Sequence, residues 1–199
     1  MTDHRPGAEP DAHLIERRLH SDSVFEGRLL KVRCDQVELP GQLRATREYI
    51  VHPGAVMIVP LTDDGRLVLE RQFRYPIDTV LLEFPAGKLD PEEGTWACAR
   101  RELAEETGYT AREWACAGRI HPAPAYSTEF IEIWFARGLE AGTQRLDEGE
   151  FLEVHLMSET DLLALAARGE LTDAKTLAAL LRLQQWRAGA WEPAWQTPA

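Results

Sequence analysis

Three glutamates within five residues, Glu102, Glu105 and Glu106, are the side chains whose type and spacing point most directly to chemistry. On an α-helix, at about 100° per residue, they fall within an arc of about 100° on one face. Carboxylates held this close repel one another, so a solvated helix gains little from the arrangement. A hard divalent cation removes the repulsion, and Mg²⁺ or Mn²⁺ suits such oxygen ligands best. The alternative is an acidic helix face that contacts only water.

A helix must position these glutamates, and we expect it over residues 95–107. Thr95 is a suitable N-cap, and Gly108 is well placed to end the helix. An apolar stripe beside the glutamates can dock on a sheet, and it consists of Trp96, Ala99 and Leu103. Pro85-Ala86-Gly87 precedes the helix as a turn after an apolar strand, so backbone carbonyls there can point at the same cation.

The rest of the chain predicts strands followed by helices. The apolar run over residues 55–59 is typical of a strand buried on both faces. Further strands are expected over residues 67–69, 80–84, 130–136 and 151–157. Ser158 predicts the start of one C-terminal helix, ended by Gly169, and Thr172 the start of a second, reaching Trp186. This pattern predicts an α+β fold with a mixed sheet and helices packed on its faces.

Three regions are expected along the chain. Residues 1–13 are predicted to be a loose, disordered tail because proline and glycine interrupt a polar stretch. Residues 14–53 form an N-terminal β region, in which the chain becomes strand-like from Val24 and an antiparallel hairpin turns at Pro40-Gly41. Residues 54–199 form the main domain with its C-terminal helices.

Composition excludes several classes of function. The 199 residues carry 33 acidic and 22 basic side chains and a formal charge of −11, which argues against nucleic-acid binding. No apolar run approaches the roughly 20 residues that cross a bilayer, and the first residues lack the apolar stretch of a secretory signal. The three cysteines lie far apart, so neither a disulfide framework nor a zinc site is indicated. We therefore expect a cytoplasmic protein without nucleic-acid or membrane partners.

The segment over residues 87–109 resembles the Nudix box, Gly-x5-Glu-x7-Arg-Glu-U-x-Glu-Glu-x-Gly-U, where U is apolar. Every fixed position is present: Gly87, Glu93, Arg101, Glu102, Glu105, Glu106 and Gly108. Leu103 fills the first apolar position and Tyr109 the second, where an aliphatic residue is more usual. The resemblance implies a Nudix hydrolase, which cleaves a nucleoside diphosphate linked to another group, and the α/β/α sandwich of that family.

The resemblance also implies a role for each box residue. The metal ligands would be Glu102 and Glu106, assisted by Glu105 and the carbonyl of Ala86. Glu105 and Glu106 would also be catalytic, and the cofactor would be Mg²⁺, with Mn²⁺ as the alternative. Structural support would come from Gly87, Glu93, Arg101 and Gly108, with Arg101 pairing with Glu93 to brace the loop.

A loop after the box resembles that of the ADP-ribose pyrophosphatase branch. Pro124 lies 15 residues after Tyr109, and Glu129 stands where that branch has a glutamate. Glu129 is the candidate general base, with a plain surface glutamate as the alternative. Ala125 departs from the branch, which usually has glycine there.

Residues 69–76 resemble the segment that precedes the box in nucleoside diphosphate sugar hydrolases. An acidic protein needs local cations to bind a dianionic substrate, and Arg71 and Arg74 are the candidates. Arg74 is the stronger candidate for contacting the diphosphate or terminal ribose, and its alternative role is to pair with Glu70 or Glu83. Glu83 is itself a candidate for supporting the metal or the substrate.

The resemblance implies a homodimer in which the N-terminal β region helps to build the partner's adenine pocket. Arg47 could serve there with Phe25 or Tyr49, whose alternative role is ordinary packing. The leading hypothesis is hydrolysis of ADP-ribose to AMP and ribose 5-phosphate. The alternatives are another nucleoside diphosphate sugar such as GDP-mannose, and a Nudix-like domain that senses a nucleotide without cleaving it.

Overall fold

The structure, a computed structural model, describes residues 11–197, which form two compact units. The N-terminal unit comprises the chain up to His52 together with Ala123–Glu129, and the core unit comprises Pro53–Pro122 and the chain from Phe130. The first ten residues of the predicted tail over residues 1–13 lie outside the described residues. The prediction of disorder was wrong for its last residues, because a short 3-10 helix covers Ala12–Leu14.

The N-terminal unit contains a three-stranded antiparallel sheet with the strand order β1-β2-β3. Its strands are β1 (Arg17–Glu26), β2 (Lys31–Glu38) and β3 (Arg44–Ile50). The hairpin of β2 and β3 confirms the turn predicted at Pro40-Gly41. Strand β1 begins seven residues before Val24, where the sequence predicted strand-like chain to start (24 − 17). None of its ten residues is buried, so the apolar alternation that reveals a strand is missing there.

The segment Ala123–Glu129 belongs to the N-terminal unit through hydrogen bonds to the end of β3. The Ile50 N–H donates to the Tyr126 carbonyl at 2.9 Å, and the Thr128 N–H donates to the Ile50 carbonyl at 2.9 Å. The His52 N–H donates to the Thr128 hydroxyl at 2.8 Å. The loop that carries Glu129 is therefore fixed by the N-terminal chain.

The core unit contains a seven-stranded sheet whose main order is β10-β5-β4-β9-β8, with β6 pairing with β5 and β7 with β4. Its strands are β4 (Ala55–Leu61), β5 (Arg66–Arg74), β6 (Thr79–Glu83), β7 (Ala86–Lys88), β8 (Tyr109–Ile120), β9 (Ile131–Ala141) and β10 (Leu152–Ser158). Strands β4 and β9 run parallel and the other pairs antiparallel, so the sheet is mixed. Every residue of β4 is buried, as the apolar run predicted.

Helices cover both faces of this sheet, which confirms the predicted α/β/α arrangement. On one face α1 (Thr95–Thr107) contributes Cys98, Ala99 and Leu103 to a cluster with Val56 and Ile58. On the other face α2 (Glu159–Ala167) and α3 (Ala174–Arg187) contribute Leu162, Ala179, Leu180 and Leu183 to a larger cluster. Among residues 11–197, none of the helices combines the length and apolar character needed to cross a membrane.

Two predicted helix starts were wrong by one residue. The N-cap of α1 is Gly94, and Thr95 is the first helical residue, whose hydroxyl bonds instead to Glu132. The N-cap of α3 is Asp173 rather than Thr172, because the Asp173 carboxylate accepts the Thr176 N–H at 2.9 Å. The caps predicted at Ser158 and Gly108 are confirmed.

Two strands of the core unit were missed. Strand β7 includes Ala86 and Gly87, where a turn was predicted, so that prediction was wrong. The strand has three residues, which is too short for periodicity to reveal. Strand β8 follows Gly108 directly and is rich in small and charged residues. Its first residues pack through pairing with β9, a long-range contact that no local pattern in the sequence indicates.

Candidate active site

Glu106 lies on the inner side of α1, against the sheet and not toward solvent. Its side chain is buried, and its Oε2 accepts the backbone N–H of Ala86 at 3.0 Å. Burial raises the pKa of Glu106 well above its ordinary value, and the negative charges of Glu70, Glu102 and Glu150 raise it further. A carboxylate in this position is stable as an anion only when a positive charge is close by.

Glu102 lies one helical turn before Glu106 and packs on the backbone at Gly87. A Cβ added at Gly87 would overlap the Glu102 carboxyl group, so this position admits only glycine unless the glutamate moves. Burial raises the pKa of Glu102 to about 7, against the lowering effect of Arg101. The close approach explains why a glycine stands in the middle of β7, the strand that faces the helix.

Arg101 is the cation that pairs with two carboxylates of α1 and with one in the loop before it. Its guanidinium donates to Glu93 at 3.0 and 2.8 Å, to Glu102 at 2.8 Å and to Glu105 at 3.0 Å. These hydrogen bonds lower the pKa of Glu93 to about 2. The structure thus contains the Arg101–Glu93 pair that the resemblance implied, and it ties Glu102 and Glu105 to the same guanidinium.

The carboxylates of the box do not converge on one point, because Arg101 binds Glu102 and Glu105 but not Glu106. Among residues 11–197, no three His, Cys, Asp or Glu side chains are arranged so that they could hold a metal ion without moving. Glu102 and Glu105 turn toward Arg101, whereas Glu106 turns toward Ala86. Glu102 and Glu105 each bond to Arg101 through one oxygen, so binding of a cation by all three glutamates requires their side chains to reorient.

Arg74 and Glu83 form the alternative pair that the sequence left open. Glu83 is fully buried, and both of its oxygens accept from Arg74, at 2.7 and 2.6 Å. Lys175, at the start of α3, also bonds to Glu83. Burial by itself would raise the pKa of Glu83, but the two cations lower it below its ordinary value. Arg74 keeps 37% of its side chain exposed, so it can also meet an anion from solvent.

Glu70 is a buried carboxylate that the sequence did not predict as part of the site, since it was named only as an alternative partner for Arg74. Glu70 is fully buried on β5, directly opposite Glu83 on β6. Burial raises its pKa well above the ordinary value, and the negative charge of Glu83 adds to the effect. The signal in the sequence was a charged residue, Glu70, directly after the apolar residues 67–69 of the predicted strand.

Glu150, in the loop before β10, was also missed. Its negative charge raises the pKa of Glu70, Glu102 and Glu106, so it lies near the same group of carboxylates. The Gln72 side chain donates to it at 3.4 Å. The signal in the sequence was the acidic run Asp147-Glu148-Gly149-Glu150 between two strands.

Arg71 lies apart from Arg74 because alternate residues of a strand point to opposite faces. Its guanidinium pairs with Glu153 on β10 at 3.2 Å, and both side chains are largely exposed. Arg71 borders a pocket of about 410 Å³ whose apolar lining includes Phe73, Val80 and Phe151. The two candidate arginines therefore do not act on one substrate group from the same face.

Glu129 and Arg47 belong to the N-terminal unit. The Glu129 carboxylate lies 3.9 Å from the imidazole of His52. Arg47 donates to Glu16 at 2.9 and 2.6 Å, which raises the pKa of its guanidinium. Tyr49 donates its hydroxyl to Asp35 at 3.0 Å, and Phe25 is half exposed.

The residues of the core unit suit a hard divalent cation. The carboxylates supply oxygen donors, and the buried oxygens of Glu70 have no hydrogen-bond partner among residues 11–197. Gly87 on β7 leaves just enough room for the Glu102 carboxylate. Buried carboxylates without a counter-charge are unfavourable, and Mg²⁺ or Mn²⁺ would compensate them. The donor set does not suit a soft metal, because its buried thiol at Cys98 has a raised pKa.

Comparison with known proteins agrees with this geometry. The family model described as NUDIX domain matches residues 51–180, and the model described as nucleoside diphosphate sugar hydrolase N-terminal domain matches residues 16–50. An ADP-ribose pyrophosphatase of Bacillus subtilis is 36% identical, covering 86% of this chain and 94% of its own. A GDP-mannose pyrophosphatase of Cronobacter sakazakii is 30% identical, covering 87% and 95%.

A solved structure supports the same assignment. The crystal structure of an ADP compounds hydrolase superposes with a TM-score of 0.78 at 28% identity, covering 88% of this chain and 95% of that one. With a Nudix box on α1, a mixed sheet between two helical layers and a family match over most of its length, this chain belongs to the Nudix family. Its N-terminal strands match the additional domain found in nucleoside diphosphate sugar hydrolases.

Replacing Gly87 with alanine should weaken cation binding while the protein still folds. The added methyl group would displace the Glu102 carboxylate. We expect the Kd for Mn²⁺, measured by electron paramagnetic resonance of the free ion, to rise about 10-fold or more. Gly94→Ala is the matched control, because a Cβ there meets nothing within 4 Å. Equal Mn²⁺ affinity in Gly87→Ala and the wild type would exclude a role for Gly87 in the cation site.

Proposed function

We propose that this protein is a metal-dependent hydrolase of ADP-ribose, which it converts to AMP and ribose 5-phosphate. The observation that carries the proposal is the group of buried carboxylates beside Gly87, set in a Nudix domain that has the N-terminal strands of a sugar-nucleotide hydrolase. The relative from Bacillus subtilis supports ADP-ribose in particular, since it matches over most of both chains.

The proposed cofactor is Mg²⁺, with Mn²⁺ as a substitute. The residues that would hold it are Glu102, Glu105, Glu106 and the carbonyl of Ala86, with Glu150 added on the basis of its charge in the same group. When bound, the cation would neutralise the diphosphate and lower the pKa of a water molecule. Arg101 would keep its bond to Glu93 and so hold the loop before α1 while Glu102 moves.

In the proposed reaction a water oxygen bonds to one phosphorus and the phosphoanhydride bond breaks. The bridging oxygen leaves with the other phosphate, and the water proton passes to a carboxylate. Glu129 is the general base proposed from the loop pattern, and Glu150 is the candidate that the core unit adds. Arg74 would bind the diphosphate or terminal ribose through its exposed edge, while Glu83 holds the guanidinium in place.

We also propose that the protein is a homodimer that forms through the N-terminal sheet. Strand β1 is an edge strand with no buried residue, and it exposes Val24 and Phe25 to 56% and 53%. Exposed apolar edge strands pair readily with another chain.

The free cysteines Cys34, Cys98 and Cys116 support the cytoplasmic location that the sequence predicts.

Product analysis tests the proposed substrate. We expect purified protein with Mg²⁺ to release AMP and ribose 5-phosphate from ADP-ribose faster than it cleaves GDP-mannose or a nucleoside triphosphate. Glu106→Gln should lower the rate by about 100-fold or more, because it removes a charge from the cation site. Glu140→Gln, an exposed carboxylate on β9, is the matched control. Faster cleavage of GDP-mannose would reassign the substrate, and nucleotide binding without turnover would support a sensor.

A pair of variants identifies the general base. Glu129→Gln should lower kcat by about 100-fold or more and leave the Mn²⁺ affinity unchanged, as expected for a base that does not hold the cation. Glu150→Gln should weaken Mn²⁺ binding as well as lower kcat. An unchanged kcat in Glu129→Gln would contradict its assignment as the base, and a loss of kcat in Glu150→Gln with full Mn²⁺ affinity would transfer that role to Glu150.

Sedimentation velocity tests the dimer. The wild type should sediment with about twice the 22.5 kDa mass of the chain. Val24→Glu should shift it to the monomer, because a charge on the edge strand opposes pairing. Leu181→Glu on α3, where the leucine is 60% exposed, is the control and should remain dimeric. A monomeric wild type, or dissociation only in the control, would contradict an interface at the N-terminal sheet.

A further inference from the structure

We propose that Glu70, on β5 of the core sheet, is a further carboxylate of the cation site and acts with Glu102 and Glu106 of α1. The inference rests on the metal-dependent function proposed above. It adds a residue outside the box, from a strand rather than from α1. Its consequence is that β5 contributes directly to cation affinity.

The burial of Glu70 is the first argument. Its side chain is fully buried, and neither of its carboxylate oxygens has a hydrogen-bond partner among residues 11–197. Glu83, directly opposite on β6, is buried to the same extent but is bonded to Arg74 and Lys175. Buried polar groups are otherwise nearly always satisfied, so one carboxylate with two unsatisfied oxygens requires an explanation.

The direction of the Glu70 side chain is the second argument. Alternate residues of a strand share a face, so Glu70, Gln72 and Arg74 project from the same side of β5. Gln72 donates to Glu150 at 3.4 Å, and Arg74 donates to Glu83 at 2.7 Å. Both neighbours on this face therefore reach carboxylates of the site, and Glu70 faces the same group.

The local charge is the third argument. The two cations nearest to Glu70, Arg74 and Lys175, are already bonded to Glu83. Glu106 accepts the backbone N–H of Ala86 at 3.0 Å, three residues along the chain from the Glu83 that lies directly opposite Glu70. The face thus holds more negative than positive charge in the interior, where charges are weakly screened. A divalent cation held by Glu106 would compensate Glu70 as well.

Two substitutions at Glu70 test the proposal without measuring turnover. Glu70→Gln keeps the shape of the side chain and removes its charge, and Glu70→Leu also removes both oxygens. The Kd for Mn²⁺ is measured by electron paramagnetic resonance, and the Tm by circular dichroism, in EDTA and in excess MnCl₂. We expect both variants to raise the Kd about 10-fold or more and to lose most of the gain in Tm that Mn²⁺ gives the wild type.

Without metal, in EDTA, the expected change in Tm has the opposite sign. Glu70→Leu should melt at a higher temperature than the wild type without metal, because it removes a buried charge that lacks a partner. Glu140→Gln, with an exposed carboxylate 3.9 Å from Arg112, should match the wild type in both Kd and Tm. If Glu70→Leu does not fold, the isosteric Glu70→Gln still gives the Kd.

The outcomes separate this inference from the proposed function. A wild type that binds Mn²⁺ and a Glu70→Gln variant with the same Kd would overturn the role of Glu70 and leave the metal-dependent function standing. A wild type that does not bind Mn²⁺ at all would overturn both. Weaker binding in Glu70→Gln, with full affinity in Glu140→Gln, would establish Glu70 as part of the site.

Discussion

Compensation of buried negative charge is the constraint on which the rest of this structure depends. The core sheet and α1 bring several carboxylates together in an interior where screening is weak, and each must meet a cation or become protonated. Arg101 satisfies the outer carboxylates, and Arg74 with Lys175 satisfies Glu83. Glu106 and Glu70 have no such protein cation bonded to them among the described residues. The imbalance lies between α1, which carries the glutamates of the Nudix box, and the neighbouring strand β5.

The architecture explains how these charges can be held so close. Strand β4 lies at the centre of the sheet with every residue buried, and its pairing with β7 fixes the position of Gly87. Packing of Ala99 and Leu103 against β4 then holds the carboxylate face of α1 against β7. The hydrophobic burial on both faces of the sheet is what stabilises an arrangement that electrostatics alone would oppose.

The sequence predicted the local geometry of the box, whose residues lie close together along the chain on β7, on α1 and in the loop between them. The expected Arg101–Glu93 pair is confirmed, whereas the metal-binding and catalytic roles of the box glutamates stay predictions. Glu70 and Glu150 could not be found in the same way, because they lie outside the box, on β5 and in the loop before β10. These two strands pair across about 80 residues of chain, as Leu152 opposite Gln72 shows. The fold class was predictable from periodicity, whereas β1 was not, since a fully exposed strand leaves no apolar alternation.

The hydrogen bonds between residues 123–129 and the end of β3 make the N-terminal unit discontinuous in sequence. Glu129 thus lies in a segment encoded far from the strands to which it is bound. A chimera that exchanged only the first 52 residues with those of a relative would pair a foreign β3 with the native loop. Recombination between relatives is therefore constrained to inherit both segments together, even though they are separated by the whole Nudix box.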